Sequence, residues 1–387
     1  MAKQRTNKRA KIQAYIVRPF LICILLFMIA NLLWPTQDFS EKENKSLAKR
    51  PKFTISGLLT GTFMSQYEEY QMDQFVGRDF LRSIKVKIDT LGGNKEENGV
   101  YRGKQEQLLE DIAVPDQEDL NKNLDAIKSF ADQFPDVSTS MALIPDAANI
   151  LEDKLPALAK VANQKSQIRS VQRNLEDGGI SWIDASTVLN SHKNESIYYK
   201  TDHHWTTLGA YYVFQESGDA LGIQSKGDTA FSPYAVTTTF NGTLASKSGY
   251  GTNVKEEIDI YAQQGNDVEV VVNYVEEKNK TTSLYDSSKL ETKDKYAVFL
   301  GGNYGLLDIK TTANVTRRLI IFKDSYANCF IPFLTPYFRE IVVVDPRYYT
   351  GDASELMQTY HITDALFLYN ANTFFRDNNI SGVLTGE

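Results

Sequence analysis

The sequence predicts an α/β fold built on a largely parallel sheet. Three short, unbroken apolar runs lie near the C-terminus: Leu319-Ile320-Ile321-Phe322, Ile341-Val342-Val343-Val344 and Ala365-Leu366-Phe367-Leu368-Tyr369. Runs that do not alternate with polar residues fit strands buried on both faces, as in parallel sheets. From Val100 onward, strand-like and helix-like stretches alternate, which is the pattern of strand-helix-strand crossovers. With 387 residues, 42% of them hydrophobic and 24% charged, the chain can bury one large core or a core and a smaller neighbour.

The elements follow in order. Lys3, Arg5, Lys8, Arg9 and Lys11 form a basic tail over residues 1–13 and precede an apolar run over 14–34, broken only by Arg18, Pro19 and Asn31. That run reaches the roughly 20 residues a tilted spanning helix needs. The basic flank predicts a cytoplasmic tail, a single membrane anchor and everything after Pro35 outside the cell. A cleaved signal peptide is the alternative, but Trp34-Pro35-Thr36-Gln37 lacks a small-x-small cleavage pattern. Residues 35–95 read as a polar juxtamembrane linker followed by amphipathic helices. Phe63, Tyr67, Tyr70, Phe75, Phe80, Ile84 and Ile88 recur at helical spacing, and Gly92-Gly93-Asn94 ends them.

The main domain spans 96–387. Within it, residues 120–134 are helical in period, 137–143 strand-like, 166–175 helical, 180–183 a short strand and 207–221 helical. Residues 226–296 are rich in Thr, Ser, Asn, Gly and Lys, and read as a loop-rich β insertion.

The formal net charge of −7 offers no broad basic face and argues against a nucleic-acid partner. The 2 cysteines, Cys23 and Cys329, fall in the apolar run and the core, so they form no disulfide framework. The 21 tyrosines and 20 phenylalanines supply core packing and also surfaces on which sugar rings stack.

Only 4 histidines occur, and two of them adjoin in Tyr198-Tyr199-Lys200-Thr201-Asp202-His203-His204-Trp205. A carboxylate beside an imidazole fixes its tautomer and stabilises its cation, as a general base requires. Ser325, in Lys323-Asp324-Ser325-Tyr326, follows the first apolar strand. Reacting groups of an open α/β sheet sit at that end of a strand. Asp202, His204 and Ser325 therefore compose a Ser-His-Asp triad, whose members are defined by geometry and not by chain order. Two other readings compete. Asp324-Ser325 can serve only as a helix cap. Asp202, His203 and His204 could hold a metal, but adjacent side chains converge poorly on one ion and the other histidines lack ligand spacing, so no metal is expected.

Thr201-Asp202-His203-His204-Trp205-Thr206 resembles the signature of the DHHW protein family, which is similar to the SGNH-hydrolase-like alginate O-acetylation proteins. Glu43-Asn44-Lys45-x-Leu47-Ala48-x-x-Pro51, Asp73-Gln74-Phe75-x-x-Arg78, Lys323-Asp324-Ser325-Tyr326, Asp345-Pro346-Arg347-Tyr348 and Leu368-Tyr369-Asn370 resemble further pieces of it, in the expected order. The resemblance implies a permuted SGNH-like three-layer α/β/α sandwich. It implies acyl, chiefly acetyl, transfer to or from hydroxyls of a cell-surface or exported polysaccharide. A membrane-bound O-acyltransferase is the implied donor partner, and no cofactor is implied. Lys323 stands where the family has glycine. Asn370 is the implied oxyanion donor, with Asn372 as alternative and Gly301-Gly302-Asn303 ranked lower. Arg347 and His203 are the implied substrate contacts. An esterase, or an inactive glycan-binding or scaffold module, are the other functions compatible with these residues.

Overall fold

The continuous apolar runs form the middle of an eight-stranded sheet. The structure is a computed structural model that describes residues 2–40, 45–226, 231–265 and 268–386, with side chains from Tyr15 onward. In chain order the strands are β1 (Ser138–Ile144), β2 (Ser181–Ile183), β3 (Val270–Tyr274), β4 (Asn279–Thr281), β5 (Leu306–Thr311), β6 (Arg318–Lys323), β7 (Glu340–Val344) and β8 (Asp364–Asn370). Across the sheet they lie in the order β4-β3-β5-β7-β6-β8-β1-β2. The five strands β7, β6, β8, β1 and β2 are parallel. At one edge, β5, β3 and β4 continue the sheet antiparallel. The chain leaves β6 for its neighbour on one side, β7, then crosses back to β8 on the other side. Strand order thus reverses at β6, and a crevice opens at the carboxyl ends of β6 and β8.

Alternate side chains of each strand point to opposite faces. Leu319 and Ile321 of β6 join Ala142, Ile144, Leu366 and Leu368 on one face, under helices Ala185–Ser191 and Thr207–Glu216. Ile320 and Phe322 join Met141, Val342 and Phe367 on the other, under helices Gln117–Gln133, Gln164–Glu176 and Ala353–Tyr360. Both faces being covered is why these strands read as unbroken apolar runs.

Two compact units divide the chain at residues 94 and 95. The first contains helix Ala2–Leu33, of which the 19 residues Tyr15–Leu33 have mean hydropathy 2.4 and are long and apolar enough to cross a membrane. Helices Thr62–Asp73 and Arg78–Leu91 follow the predicted aromatic spacing. Buried Asp73 accepts from Lys45 Nζ and from the Ala48 amide, both at 2.9 Å, and pairs with Arg78. Asp73, Lys45 and Arg78 of the family-like motifs are thereby joined; Glu43 and Asn44 lie outside the described residues.

Two expectations are corrected. The helix predicted over 207–221 is two, Thr207–Glu216 and Gly218–Leu221, with the break at Ser217. Stretch 226–296 is not one insertion. Its first part forms the antiparallel ribbon Phe231–Phe240 and Glu256–Gln263, with helix Thr243–Ser248 between them. Its second part supplies β3 and β4 to the main sheet; residues 227–230 and 266–267 lie outside the described residues. Strand β5 and helix Ala185–Ser191 had no prediction.

Phe322 is fully buried, its ring 4.8 Å from that of Phe367 and 5.5 Å from that of Phe130. Phe322→Ala is expected to cost about 3–5 kcal/mol through lost contacts and a cavity. In urea denaturation this appears as a lower midpoint with an unchanged slope.

Candidate active site

Residues 198–205 close a tight hairpin. Tyr198 and Trp205 pair antiparallel, and the Thr206 amide donates to Ile197 O at 2.9 Å. Glu256, at the start of the ribbon's second strand, braces the hairpin from outside. Its carboxylate accepts from the Lys200 and Thr201 amides at 2.6 and 2.8 Å and from Thr201 Oγ1 at 2.5 Å. Trp205 reaches from the hairpin to the turn after β6, donating from Nε1 to Tyr326 O at 2.9 Å, and its ring stacks on Phe330. Tyr326 answers with a hydroxyl bond to His203 O.

The turn itself follows from the sequence Asp324-Ser325. Asp324 caps the short 3-10 helix Ser325–Cys329, accepting from the Tyr326 amide at 2.9 Å through Oδ1. Its Oδ2 accepts from the Asn370 amide at 3.0 Å, which ties the end of β6 to the end of β8. Ser325 lies at the mouth of the crevice and is half-buried.

These two segments, far apart in sequence, bring the three predicted residues together. Ser325 Oγ lies 2.8 Å from His204 Nε2, and His204 Nδ1 lies 2.5 Å from Asp202 Oδ1. Asp202 Oδ1 also accepts from the His204 amide at 3.0 Å. Its Oδ2 accepts from the Thr243 amide and Oγ1 at 2.7 and 2.8 Å. The carboxylate takes only protons, so Nδ1 of His204 donates and Nε2 presents its lone pair to the Ser325 hydroxyl. The same logic fixes His203. Thr243 Oγ1 gives its hydrogen to Asp202, so it must accept from His203 Nδ1, 2.7 Å away. His203 Nδ1 is thereby a donor, on a half-buried ring.

Electrostatics favour a neutral imidazole at His204. Burial lowers the pKa of His204, the neighbouring His203 lowers it further, and Asp202 raises it without making up the difference. Burial raises the Asp202 carboxyl, but the two imidazoles and the Thr243 amide outweigh it and hold the group well below the usual carboxylate range. The His204 ring lies between two others: Tyr296 stacks on it at 3.8 Å and 13°, and His203 sits at 3.9 Å and 37°. Two rings so near one imidazole must occupy opposite faces.

The remaining predicted residues fall differently. Arg347 follows β7 and clasps Asp345 from Nε and Nη2 at 2.8 and 2.6 Å. Its charge reaches the site, helping to lower His204 and opposing the upward effect of burial on Asp324. Lys323 is fully buried and points to Asp345 Oδ2 at 3.2 Å and Asn303 Oδ1 at 2.9 Å. Asn303 Oδ1 also accepts from Asn328 at 3.1 Å, so the Gly301-Gly302-Asn303 loop is moored to the serine turn.

Asn370 requires a correction. Its Nδ2 donates to Asp146 Oδ1 at 3.1 Å and Ile144 O at 3.4 Å, and its Oδ1 caps the next helix through the Thr373 amide. Both amide hydrogens are taken by buried acceptors, so Asn370 positions the strand ends and does not hold an oxyanion in this arrangement. Asn372 is committed likewise, to Asp111 O and the Ala113 amide. Asp146, at the centre of this network, is raised to about 7 by burial first and then by the Glu110 charge.

Sequence reasoning missed Thr243, Tyr296 and Glu256. None carries a spacing signal; each lies in the polar stretch read as an insertion. Asp202, His203 and His204 also place one ligand-type atom each within 4.8 Å of one another. The Asp202 oxygens and both His204 nitrogens already have hydrogen-bond partners, so these donors fit a proton relay better than a cation.

The DHHW protein family profile matches residues 136–344, more than half of the chain, and the protein belongs to that family. The fold is shared with solved structures. A DHHW family protein from Eubacterium siraeum matches with TM-score 0.61 at 24% identity, over 76% of this chain and 96% of that one. Bacillus cereus PatB1, in a structure with a sulfonyl adduct, matches with TM-score 0.59 at 21% identity, over 72% and 96%. No curated protein matches the chain.

Gly242 packs so closely on Asp202 that an added Cβ would overlap its Cβ and Oδ2. Gly242→Ala is expected to cost about 1–3 kcal/mol by overpacking and to disturb the Asp202–His204 bond. Proton NMR tests this: the far-downfield His204 Nδ1 signal should vanish or move in the variant, and an unaltered signal counts against the geometry.

Proposed function

We propose that this chain is an extracytoplasmic Ser-His-Asp acyltransferase or esterase, anchored by Tyr15–Leu33 and acting on hydroxyls of a cell-surface or exported polysaccharide. One observation carries the chemistry: the unbroken relay from Ser325 Oγ through His204 to Asp202, at 2.8 and 2.5 Å. The acetyl group and the polysaccharide are read from the family resemblance.

Strand order supports the permuted SGNH reading. Counted from β6, the five parallel strands lie 2-1-3-4-5 across the sheet, the doubly wound order, with the chain entering at the fourth. Ser325 then follows the first strand and sits at the switch point.

In the proposed reaction, Ser325 Oγ attacks the acyl carbonyl while His204 Nε2 takes its proton. The Ser325 N–H and the Arg347 guanidinium oppose the charge on the tetrahedral oxygen. Collapse expels the donor's alcohol or thiol, which leaves with the proton from His204, and an ester on Ser325 remains. A sugar hydroxyl or water gives its proton to the same nitrogen, attacks that ester, and releases Ser325 when the proton returns. His203, half-buried beside His204, contacts the incoming hydroxyl. The acyl donor is an ester or thioester delivered by a membrane-bound O-acyltransferase, the partner the family resemblance implies.

A sulfonyl fluoride should label the wild-type protein and leave Ser325→Ala unlabelled, as read by intact mass. Equal labelling of the variant would remove Ser325 from the mechanism. His204→Ala should slow hydrolysis of an acetyl ester by about 10³-fold or more while the protein remains folded.

The pH profile has a fixed sign. His204 must be neutral to act, and its pKa lies below the ordinary 6.5. Ester turnover should therefore rise with pH through an apparent pKa under 6.5 and level off near neutrality. A rising limb centred above 6.5 contradicts the lowered imidazole.

A further inference from the structure

The first unit carries an apolar face that the chemistry leaves unused. Helix Arg78–Leu91 exposes Phe80 (67%), Leu81 (44%), Ile84 (38%), Ile88 (61%) and Leu91 (89%). At 3.6 residues per turn these five fall within an arc of about 100°. Val86, on the opposite side, is buried, so the helix packs by its other face and presents this one outward. Lys87 and Lys85 border the stripe on its two sides, where long cationic side chains cover apolar surface and lift their charge to water.

The start of this helix is fixed against the spanning segment. The Val76 amide donates to Asn31 Oδ1 at 2.9 Å, and the Phe75 ring meets that of Phe27 at 5.1 Å, edge to face. Asn31 and Phe27 belong to the apolar segment Tyr15–Leu33. At a rise of 1.5 Å per residue they lie about 3–9 Å inside its outer end. That matches the depth, about 5–10 Å, at which amphipathic helices rest in the headgroup boundary. Phe75 and Val76 are therefore at the level of the outer leaflet when the segment spans.

We propose that helix Arg78–Leu91 lies in the membrane surface, with Phe80, Leu81, Ile84, Ile88 and Leu91 sunk into the outer leaflet beside the spanning segment. The inference rests on the anchor reading above and goes beyond it: the chain holds the bilayer at two places. The occupant is lipid because the turn that leads into the helix, Phe75-Val76, is held by a hydrogen bond and a ring contact to residues of the spanning segment itself.

The test uses the full-length chain in phosphatidylcholine vesicles containing acyl-chain-brominated lipid. A bimane label on native Cys23 reports the spanning segment; Cys329 is fully buried and stays unlabelled. In a Cys23→Ser background the label is moved to Ile84→Cys on the apolar stripe or to Ser83→Cys off it, with Ile88→Cys as a second stripe position should Ile84→Cys fold poorly. Brominated lipid should quench Cys23, Ile84→Cys and Ile88→Cys several-fold and Ser83→Cys little. Quenching at Cys23 with stripe labels no different from Ser83→Cys overturns the in-plane helix and leaves the anchor standing. No quenching at Cys23 removes the anchor, and the inference with it. Stripe labels shielded from aqueous iodide but untouched by brominated lipid would assign the face to a protein partner and overturn the lipid assignment.

Discussion

Two reciprocal hydrogen bonds hold the site together. Trp205 Nε1 donates to Tyr326 O, and the Tyr326 hydroxyl donates to His203 O. They clasp a hairpin from the middle of the chain to a turn near its end. Each bond is modest alone, about 1 kcal/mol net, but an orphaned buried partner costs about 1–3 kcal/mol. The tryptophan and tyrosine are therefore structural conditions for the Ser325–His204 contact. The four residues Asp202, His203, His204 and Trp205 divide the labour: one orients, two bring imidazoles to the crevice and one docks the loop.

The sheet was legible because its inner strands are buried on both faces, which leaves an unbroken apolar run in the sequence. The ribbon and the edge strand β4 were not, since short or half-exposed polar segments look like loops. The hydrogen-bonded trio was legible through the two-residue spacing of Asp202 and His204 and the position of Ser325 after a strand. Asn370 shows the boundary of such reading. Its place at the end of β8 was correct, but sequence cannot say where an amide points, and Asp146 had already claimed it. Thr243 and Tyr296 touch Asp202 and His204 only through the fold of the polar stretch, so no local pattern marks them.

The buried charges near the turn form a second layer of constraint. Lys323 and Arg347 share Asp345, and the Lys323–Asp345 pair is almost wholly withdrawn from water. Burying such charges is expensive unless they are paired and hydrogen-bonded, and here Asn303 supplies the additional partner. The lysine before Asp324 thus sends its side chain into this network.

The imidazole between Tyr296 and His203 has little room to turn. Both flat sides of the ring are occupied, so in the proposed reaction an alcohol would reach Nε2 only edge-on, in the ring's own plane. Under that proposal the proton would have a stationary depot: the departing and the incoming groups would use the same berth one after the other, while the ring stays still.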